Sequence, residues 1–527
     1  MYILWAEKMP KKYIYACPLL VAVSPAVFLW CKNFGEVALR EVLITVLVLA
    51  MLGGVTLAFF ALVLRNAEKS SLMAAITLVP VLFYNSIYNT LFFNALFQLR
   101  WRWAFIIITF ALVIIFYKIF KTKKDVSALN RFFATAIGIF ISLSLFQLAW
   151  HSVVNYRNTT SNTVAVVPGS SDSELRDIYY IILDGHSSPE VIKDVMGFTE
   201  IDEFTNFLEQ KGFYIAKESR SNYPTTAMSL PSSLNMGFLE RPDLPKKYFQ
   251  MTEDHLVKDF LKSHGYRYIH FGAEAFTFFN KYADENINIG FFSPYQEAIL
   301  KNTIVTPIEK YFLGLNATTI VEKLGFLDAR LMQWKRTLYQ LDKLVEISKT
   351  ENGPTFVFAH LLLPQGPYVF NADGSFVSDE ELAKRTRLEN YHNQVLYIDK
   401  AIADVVDAIL KNSKTDPIII LQGDHGFAFG ILAAREPELL KELTFKPGQK
   451  EQIIIPNVNY SFPNLNAYHL PDGGDKLLYD SISPVNTFRL ILNYYFKQNL
   501  EFLDDTSYII DPHDPTQFIP VEELHLK

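Results

Sequence analysis

The chain has 527 residues, half of them hydrophobic, with a formal net charge of −6 and two cysteines, Cys17 and Cys31. That balance gives no footing for nucleic-acid binding. Both cysteines belong to the first apolar run, so the rest of the chain has no disulfide, thiol nucleophile or cysteine metal site.

Five apolar runs are expected to cross a membrane, namely Tyr13 to Trp30, Val42 to Leu64, Ser71 to Phe97, Trp103 to Tyr117 and Phe132 to Trp150. About 20 residues suffice for a crossing, and Lys118 can lengthen the short fourth run by snorkelling. Lys8, Lys11 and Lys12 before the first run also suit a cleaved signal peptide, but the four runs that follow argue against one. With the N-terminus inside, the inner segments carry Lys8, Lys11, Lys12, Arg65, Lys69, Lys118, Lys121, Lys123, Lys124 and Arg131. The outer ones carry only Lys32, Arg40, Arg100, Arg102 and Arg157. This asymmetry predicts a cytoplasmic N-terminus, and five crossings then place the remainder on the periplasmic or extracellular side. The expected division is residues 1–150 as a five-helix transmembrane domain, 151–177 as a polar linker and 178–527 as one exported catalytic domain.

Beyond the linker, "IYYIILD", "YRYIHFGA", "TFVFAHLLL" and "PIIILQGD" are short continuous apolar runs, the pattern of strands buried on both faces. "NLNAYHLP" is a fifth strand candidate. Helical patterns lie between them: "EDHLVKDFLKSHG" with its closing glycine, Thr318 to Lys349, Asp379 to Lys411, and "SPVNTFRLILNYYF" with serine before proline at its start. Strands alternating with helices predict an α/β domain with a mostly parallel sheet, whose active site gathers at the carboxyl ends of the strands.

Two of the strands end in candidate chemistry, Asp184 in "IILDGHSS" and Asp424 with His425 in "IIILQGDHG". Carboxylates and an imidazole brought to one sheet edge are ligands that suit a divalent cation. The plainer alternatives are that Asp184 caps a helix and that Asp424-His425-Gly426 is a turn.

Together with the loop "SNYPTTAMSLPSSLNMG", these segments resemble the sulfatase-like branch of the alkaline phosphatase superfamily. With the helical anchor, the chain is similar to that branch's membrane-bound members, the lipoteichoic acid synthases and the lipid A phosphoethanolamine transferases. "TAMSLPSS" resembles the threonine loop of the transferases, which implies Thr226 as nucleophile and fourth ligand, with Asp184, Asp424 and His425, of one divalent ion, zinc or manganese. A threonine hydroxyl is a weak nucleophile until a metal or base lowers its pKa. Asn222, Ser229, Ser232 and Ser233 are then expected to donate to phosphate oxygens, and a helix starting after Pro231 to add its dipole. The resemblance implies transfer or hydrolysis of a phosphate-linked head group, of phosphoglycerol or phosphoethanolamine type, on an envelope lipid or glycan.

Gln365 and His360 are also expected to bind substrate, but the chain departs from the transferases at Gln365, where they carry a histidine that binds or protonates the transferred group, and glutamine cannot exchange a proton. His360 or the later His469 would have to substitute, or the reaction needs no such acid. His186 is placed near the metal as a weaker candidate, and His392 as structural or surface. Other readings are a sulfuric ester hydrolase, a serine hydrolase built on "GHSSP", and a degenerate membrane-anchored binding protein. "SLPSS" lacks the arginine that a formylglycine sulfatase needs, and Pro189 stands where a nucleophile elbow needs glycine.

Overall fold

The computed structural model describes residues 16–33, 37, 39–95, 101–158, 175–242, 244–272, 279–289, 293–305, 329–350, 353–427, 460–511 and 514–523. The chain forms two compact units, Met1–Asn162 with Phe291–Phe326, and Thr163–Gly290 with Leu327–Lys527.

In the first unit, three helices among the described residues are long and apolar enough to cross a membrane: Leu39–Leu64, Trp101–Lys121 and the portion Ser127–Leu148 of the last helix. The five-span expectation is therefore not met as stated. Ala16–Lys32 is apolar but has only 17 residues and Pro25 within it. The third expected run is broken, because Ala67–Leu82 and Tyr84–Phe92 meet at 74° and count as one further span only if the bent pair is taken together. Hydropathy registers composition and not direction, so a break at Phe83 followed by the π-helix Tyr88–Ala95 left no mark in the sequence pattern. The final helix of the unit continues to Asn158, so the first part of the expected linker is helical.

Residues 293–305 also belong to this unit, against the expectation of one uninterrupted domain from 178 onward. Ser293 opens the helix Pro294–Asn302 with a capping box, its side chain accepting from Gln296 N. The Tyr295 hydroxyl donates to the Ala26 carbonyl (2.7 Å) and Gln296 Nε2 to Thr45 Oγ1 (3.1 Å). Tyr295 and Ile299 are buried with Cys17, Val21, Ala22 and Leu78.

The second unit is built on a seven-stranded sheet of order β2-β7-β6-β1-β5-β3-β4. The strands are β1 (Ile178–Leu183), β2 (Tyr214–Ile215), β3 (Arg267–Phe271), β4 (Glu285–Ile287), β5 (Thr355–Leu361), β6 (Ile418–Gly423) and β7 (Asn466–His469). From β6 to β4 all neighbours are parallel, and β7 and β2 add an antiparallel edge. Every residue of β1, β5 and β6 is buried, as continuous apolar runs require when helices cover both faces. Alternation divides β1 between two cores. Tyr179, Ile181 and Leu183 face one that includes Phe204, Leu344 and Ile402. Ile178, Tyr180 and Ile182 face another that includes Leu230, Leu261 and Phe488. Each fully buried aliphatic side chain contributes roughly 1.5–3 kcal/mol, so these faces fix the register firmly.

The helices Leu256–Ser263 and Pro484–Phe496 fall where their patterns place them. The stretch from Asp379 divides into Asp379–Lys384 and Arg387–Asn412, each with its own capping box. The preceding long helix is described from Ala329, so the expected start at Thr318 lies outside the described residues.

Candidate active site

The parallel register sets the site. Leu183 pairs with Leu361 on one side and with Gly423 on the other, so the next residues, Asp184 and Asp424, leave adjacent strand ends together. Gly423 is required there, because a Cβ would sit 2.2 Å from the His186 carbonyl oxygen. Gly185, at φ +67°, turns the chain directly after Asp184, and the turn closes through His186 N to the Leu183 carbonyl (3.1 Å).

Asp184, Asp424 and His425 are all buried, and one ligand atom from each lies within 4.8 Å of the others. Asp424 Oδ1 accepts from the backbone N–H of Gly185 (2.9 Å) and of His425 (3.0 Å). Its other oxygen, Oδ2, and Asp184 Oδ1 accept no hydrogen bond among the described residues. His425 Nδ1 donates to the Gly426 carbonyl (2.7 Å), which leaves the Nε2 lone pair directed at the acids, 3.7 Å from Asp184 Oδ1 and 3.6 Å from Asp424 Oδ2. Burial pushes the Asp424 carboxyl above its ordinary range and the neighbouring Asp184 adds to this, while His425 and His360 oppose it. Two buried carboxylates with unmet lone pairs beside an oriented imidazole fit a divalent cation in ligand type and in the charge they need offset.

Thr226 is brought to this cluster, its Oγ1 standing 3.3 Å from His425 Nε2. It is the first residue of the helix Thr226–Leu234, preceded by Thr225 in extended conformation. The helix therefore begins before Pro231, not after it, and contains that proline. The first turn of a helix has N–H groups without intrahelical partners, so the Thr226 end carries the helix's positive pole.

The other loop residues take different roles from those expected. Ser229 Oγ donates to the Asp424 carbonyl (2.5 Å), Ser232 Oγ to the Gly237 carbonyl (2.8 Å) and Ser233 Oγ to the Ser229 carbonyl (3.0 Å). Asn222 Nδ2 donates to Ser483 Oγ (3.1 Å) and the Thr506 carbonyl (3.0 Å), and its Oδ1 accepts from Val485 N (3.0 Å). A helix that starts at Thr226 turns these hydroxyls into the protein, so they brace the site from within.

His360, buried on β5, places Nε2 3.6 Å from Asp184 Oδ2, the oxygen turned away from His425. Burial opposes its charged form, but Asp184 and then Asp424 outweigh this and raise its pKa. It lies beside Asp184, on the side away from His425. Gln365 donates its backbone N–H to the Asp184 carbonyl (3.0 Å), and its side chain packs against Gly185, where a Cβ would meet Oε1 at 2.4 Å.

His186, His392 and His469 lie apart from the cluster. His186 bonds Asp399 (2.8 Å) and the Ser187 carbonyl (2.9 Å) in the core. His392 stacks on Phe198. His469 donates to the Pro417 carbonyl (3.0 Å), at the opposite end of β6 from Asp424. In "GHSSP", Ser187 Oγ accepts from Phe427 N (2.8 Å) and Ser188 Oγ from Val191 N (3.3 Å), so both hydroxyls are engaged in shaping loops.

Sequence reasoning missed Tyr391 and Gln394. The Tyr391 hydroxyl donates to the Gly185 carbonyl (2.9 Å) and accepts from Ser187 N (3.1 Å). Gln394 Oε1 accepts from Val369 N (2.8 Å), and its Nε2 donates to the Pro364 carbonyl (3.0 Å), tying down the loop that carries Gln365. The signal was present, since a glutamine and an aspartate, Gln394 and Asp399, interrupt the apolar face of a long helix.

The sulfatase family model matches residues 177–464, more than half of the chain. The chain belongs to the sulfatase family. It is a sulfatase-like enzyme with an anchor of apolar helices. Among solved structures, the chain is similar to the C-terminal periplasmic domain of EcEptC from Escherichia coli in complex with zinc, at 13% identity and a TM-score of 0.44, over 68% of this chain and 95% of that one. It is also similar to the integral membrane lipooligosaccharide phosphoethanolamine transferase A from Neisseria meningitidis, at 14% identity and a TM-score of 0.39, over 92% and 95% of the two chains. A third is a protein of the alkaline phosphatase superfamily from Vibrio parahaemolyticus, at 12% identity and a TM-score of 0.36, over 66% and 78%. No curated protein sequence matches this chain.

Proposed function

We propose that this sulfatase-family chain transfers or hydrolyses a phosphate-linked head group on an envelope lipid or glycan, with Thr226 as nucleophile. The observation that carries the reading is the approach of Thr226 Oγ1 to His425 beside two buried carboxylates, at the start of a helix. Asp184, Asp424 and His425, with Thr226 as fourth ligand, would hold one zinc or manganese ion. When bound, the ion supplies positive charge that favours ionised Thr226 and offsets phosphate oxygens. Thr226 Oγ attacks phosphorus, the P–O bond to the leaving alcohol breaks, and that oxygen takes up a proton. The group stays esterified to Thr226 until water or an acceptor alcohol attacks phosphorus, gives up its proton and frees the hydroxyl. Asp184 is held by the backbone bonds of its N–H to Leu361 and of its carbonyl to Gln365, and the Asp424 carboxylate by two N–H groups, so the ligand atoms are arranged before substrate arrives. An apolar anchor confines such an enzyme to the plane of a lipid substrate. We assign the N-terminus to the cytoplasm and the catalytic unit to the far side.

Turnover of bis-p-nitrophenyl phosphate and of p-nitrophenyl sulfate, beside Thr226→Ala, tests the proposal. Phosphodiester cleavage abolished by Thr226→Ala supports it. Sulfate ester cleavage alone would favour the second reading, a sulfuric ester hydrolase, which the family match also allows. Ser229, buried and committed to the Asp424 carbonyl, counts against a formylglycine at that position.

A further inference from the structure

Beside the segment leading to Thr226 lies a cavity of about 440 Å³ walled by Tyr223, Phe238, Tyr508 and Phe518. Its volume falls in the range of small-molecule sites, roughly 300–1,000 Å³. Tyr223 stands three residues before Thr226 and is fully buried, its hydroxyl accepting from Leu239 N (2.8 Å). Tyr508 and Phe518 come from the hairpin of β8 (Tyr508–Ile510) and β9 (Phe518–Pro520). That hairpin is fastened to the loop before Thr226 through Tyr508 N to the Asn222 carbonyl (2.8 Å) and Ser507 Oγ to the Ser221 carbonyl (2.8 Å). The rings form one packed wall, with Phe238 and Tyr508 edge to face at 5.0 Å and Tyr223 and Phe518 at 5.1 Å.

The polar lining decides the ligand class. Arg241, Glu240 and Gln517 are exposed around the rings. Arg241 acts on the nearby Asp514, and Gln517 Nε2 donates to Asp514 Oδ2 (2.8 Å). Glu240 is paired with Lys247 (3.0 Å) and Arg241 acts on Asp514, so the two cations are matched by two carboxylates and offer no excess positive charge to a free anion, and the polar lining does not suit a bare acyl chain. The partly exposed rings of Phe238, Tyr508 and Phe518, with a guanidinium, a carboxylate and an amide at the rim, match a neutral sugar ring, whose C–H faces pack on rings and whose hydroxyls both donate and accept.

We propose that this cavity is a saccharide subsite. It binds an uncharged sugar ring of the substrate or acceptor on the Thr226 side of the catalytic centre. Its purpose rests on the phosphoryl-transfer reading, but its occupancy is measured without catalysis. The test titrates the full chain, in nanodiscs free of glycolipid, with N,N′-diacetylchitobiose and with lactose, followed by saturation-transfer NMR. The expected result is saturable binding of one or both in the millimolar range, weakened about tenfold by Tyr508→Ala and by Arg241→Ala. Arg241 is exposed, so its variant stands if Tyr508→Ala does not fold. No saturable binding of either disaccharide, or binding unchanged in a folded variant, would overturn the subsite. Sugar binding without any phosphodiester turnover would remove the proposed function and leave the subsite standing, and turnover without sugar binding would do the reverse.

Discussion

Thr226 Oγ1 and His425 Nε2 lie 3.3 Å apart although 199 residues separate them in the chain. Three residues on from Thr226, Ser229 Oγ reaches the Asp424 carbonyl at 2.5 Å, so one helical turn is pinned to the strand end that carries the candidate ligands. Ser229→Ala leaves a buried carbonyl without this donor, at a cost of about 1–3 kcal/mol. The expected outcome is a lower melting temperature and a fall in kcat larger than any rise in KM, from steady-state turnover of a phosphodiester. An unchanged kcat would show that the pin does not position Thr226.

Asn222 is expected to behave as a clasp. Both ends of its amide are committed inside the protein, to Ser483, Thr506 and Val485. Asn222→Ala should destabilise the catalytic unit by about 1–3 kcal/mol in thermal or denaturant unfolding. A raised KM with an unchanged melting temperature would instead reinstate it as a substrate-binding residue.

Gln394 supports the loop of Gln365 from beneath. Gln394→Ala removes an acceptor for Val369 N and Phe370 N and a donor to the Pro364 carbonyl. Melting should fall by an amount equivalent to about 1–3 kcal/mol, and turnover should fall with it, while metal content stays at the wild-type level. Loss of metal in this variant would mean that the loop, and not the strand ends alone, shapes the ligand cluster.

His255 gives a pH signature away from the catalytic centre. Burial, reinforced by Lys258 and His270, holds its pKa well below the ordinary histidine value. The unfolded chain therefore takes up a proton below about pH 6.5 that the folded chain refuses, so the stability His255 contributes is present above that pH and lost as pH falls. The limiting slope for one group is about 1.4 kcal/mol per pH unit. His255 also caps its helix, accepting from Lys258 N, so His255→Asn keeps a capping side chain while removing the titration. Unfolding measured from pH 7.5 to 5.5 should show a shallower loss in His255→Asn than in the wild type.

The central strands were legible because helices on both faces leave β1, β5 and β6 no polar face, and that pattern is visible without coordinates. β2 and β4, of two and three residues, are too short to show a period. The antiparallel direction of β7 depends on pairing that no local pattern encodes. Asp184, Asp424 and His425 stood out as polar residues closing apolar strands, whereas Thr226 was singled out only through resemblance. The internal hydrogen bonds of Asn222 and Ser229 were not legible because they depend on where the helix starts, and the proline pointed too far along. In the anchor, hydropathy could not reveal the 74° bend at Phe83.

The most direct measurement is the metal content of the purified full chain, beside Asp424→Ala and Thr226→Ala. The account predicts close to one equivalent of zinc or manganese in the wild type, and its loss in Asp424→Ala. Thr226→Ala should keep more metal than Asp424→Ala, because the two carboxylates and His425 remain, yet have no turnover. A folded wild-type protein that holds no divalent metal, even after it is added back, would contradict the assignment of these strand ends as a metal-assisted phosphoryl-transfer site.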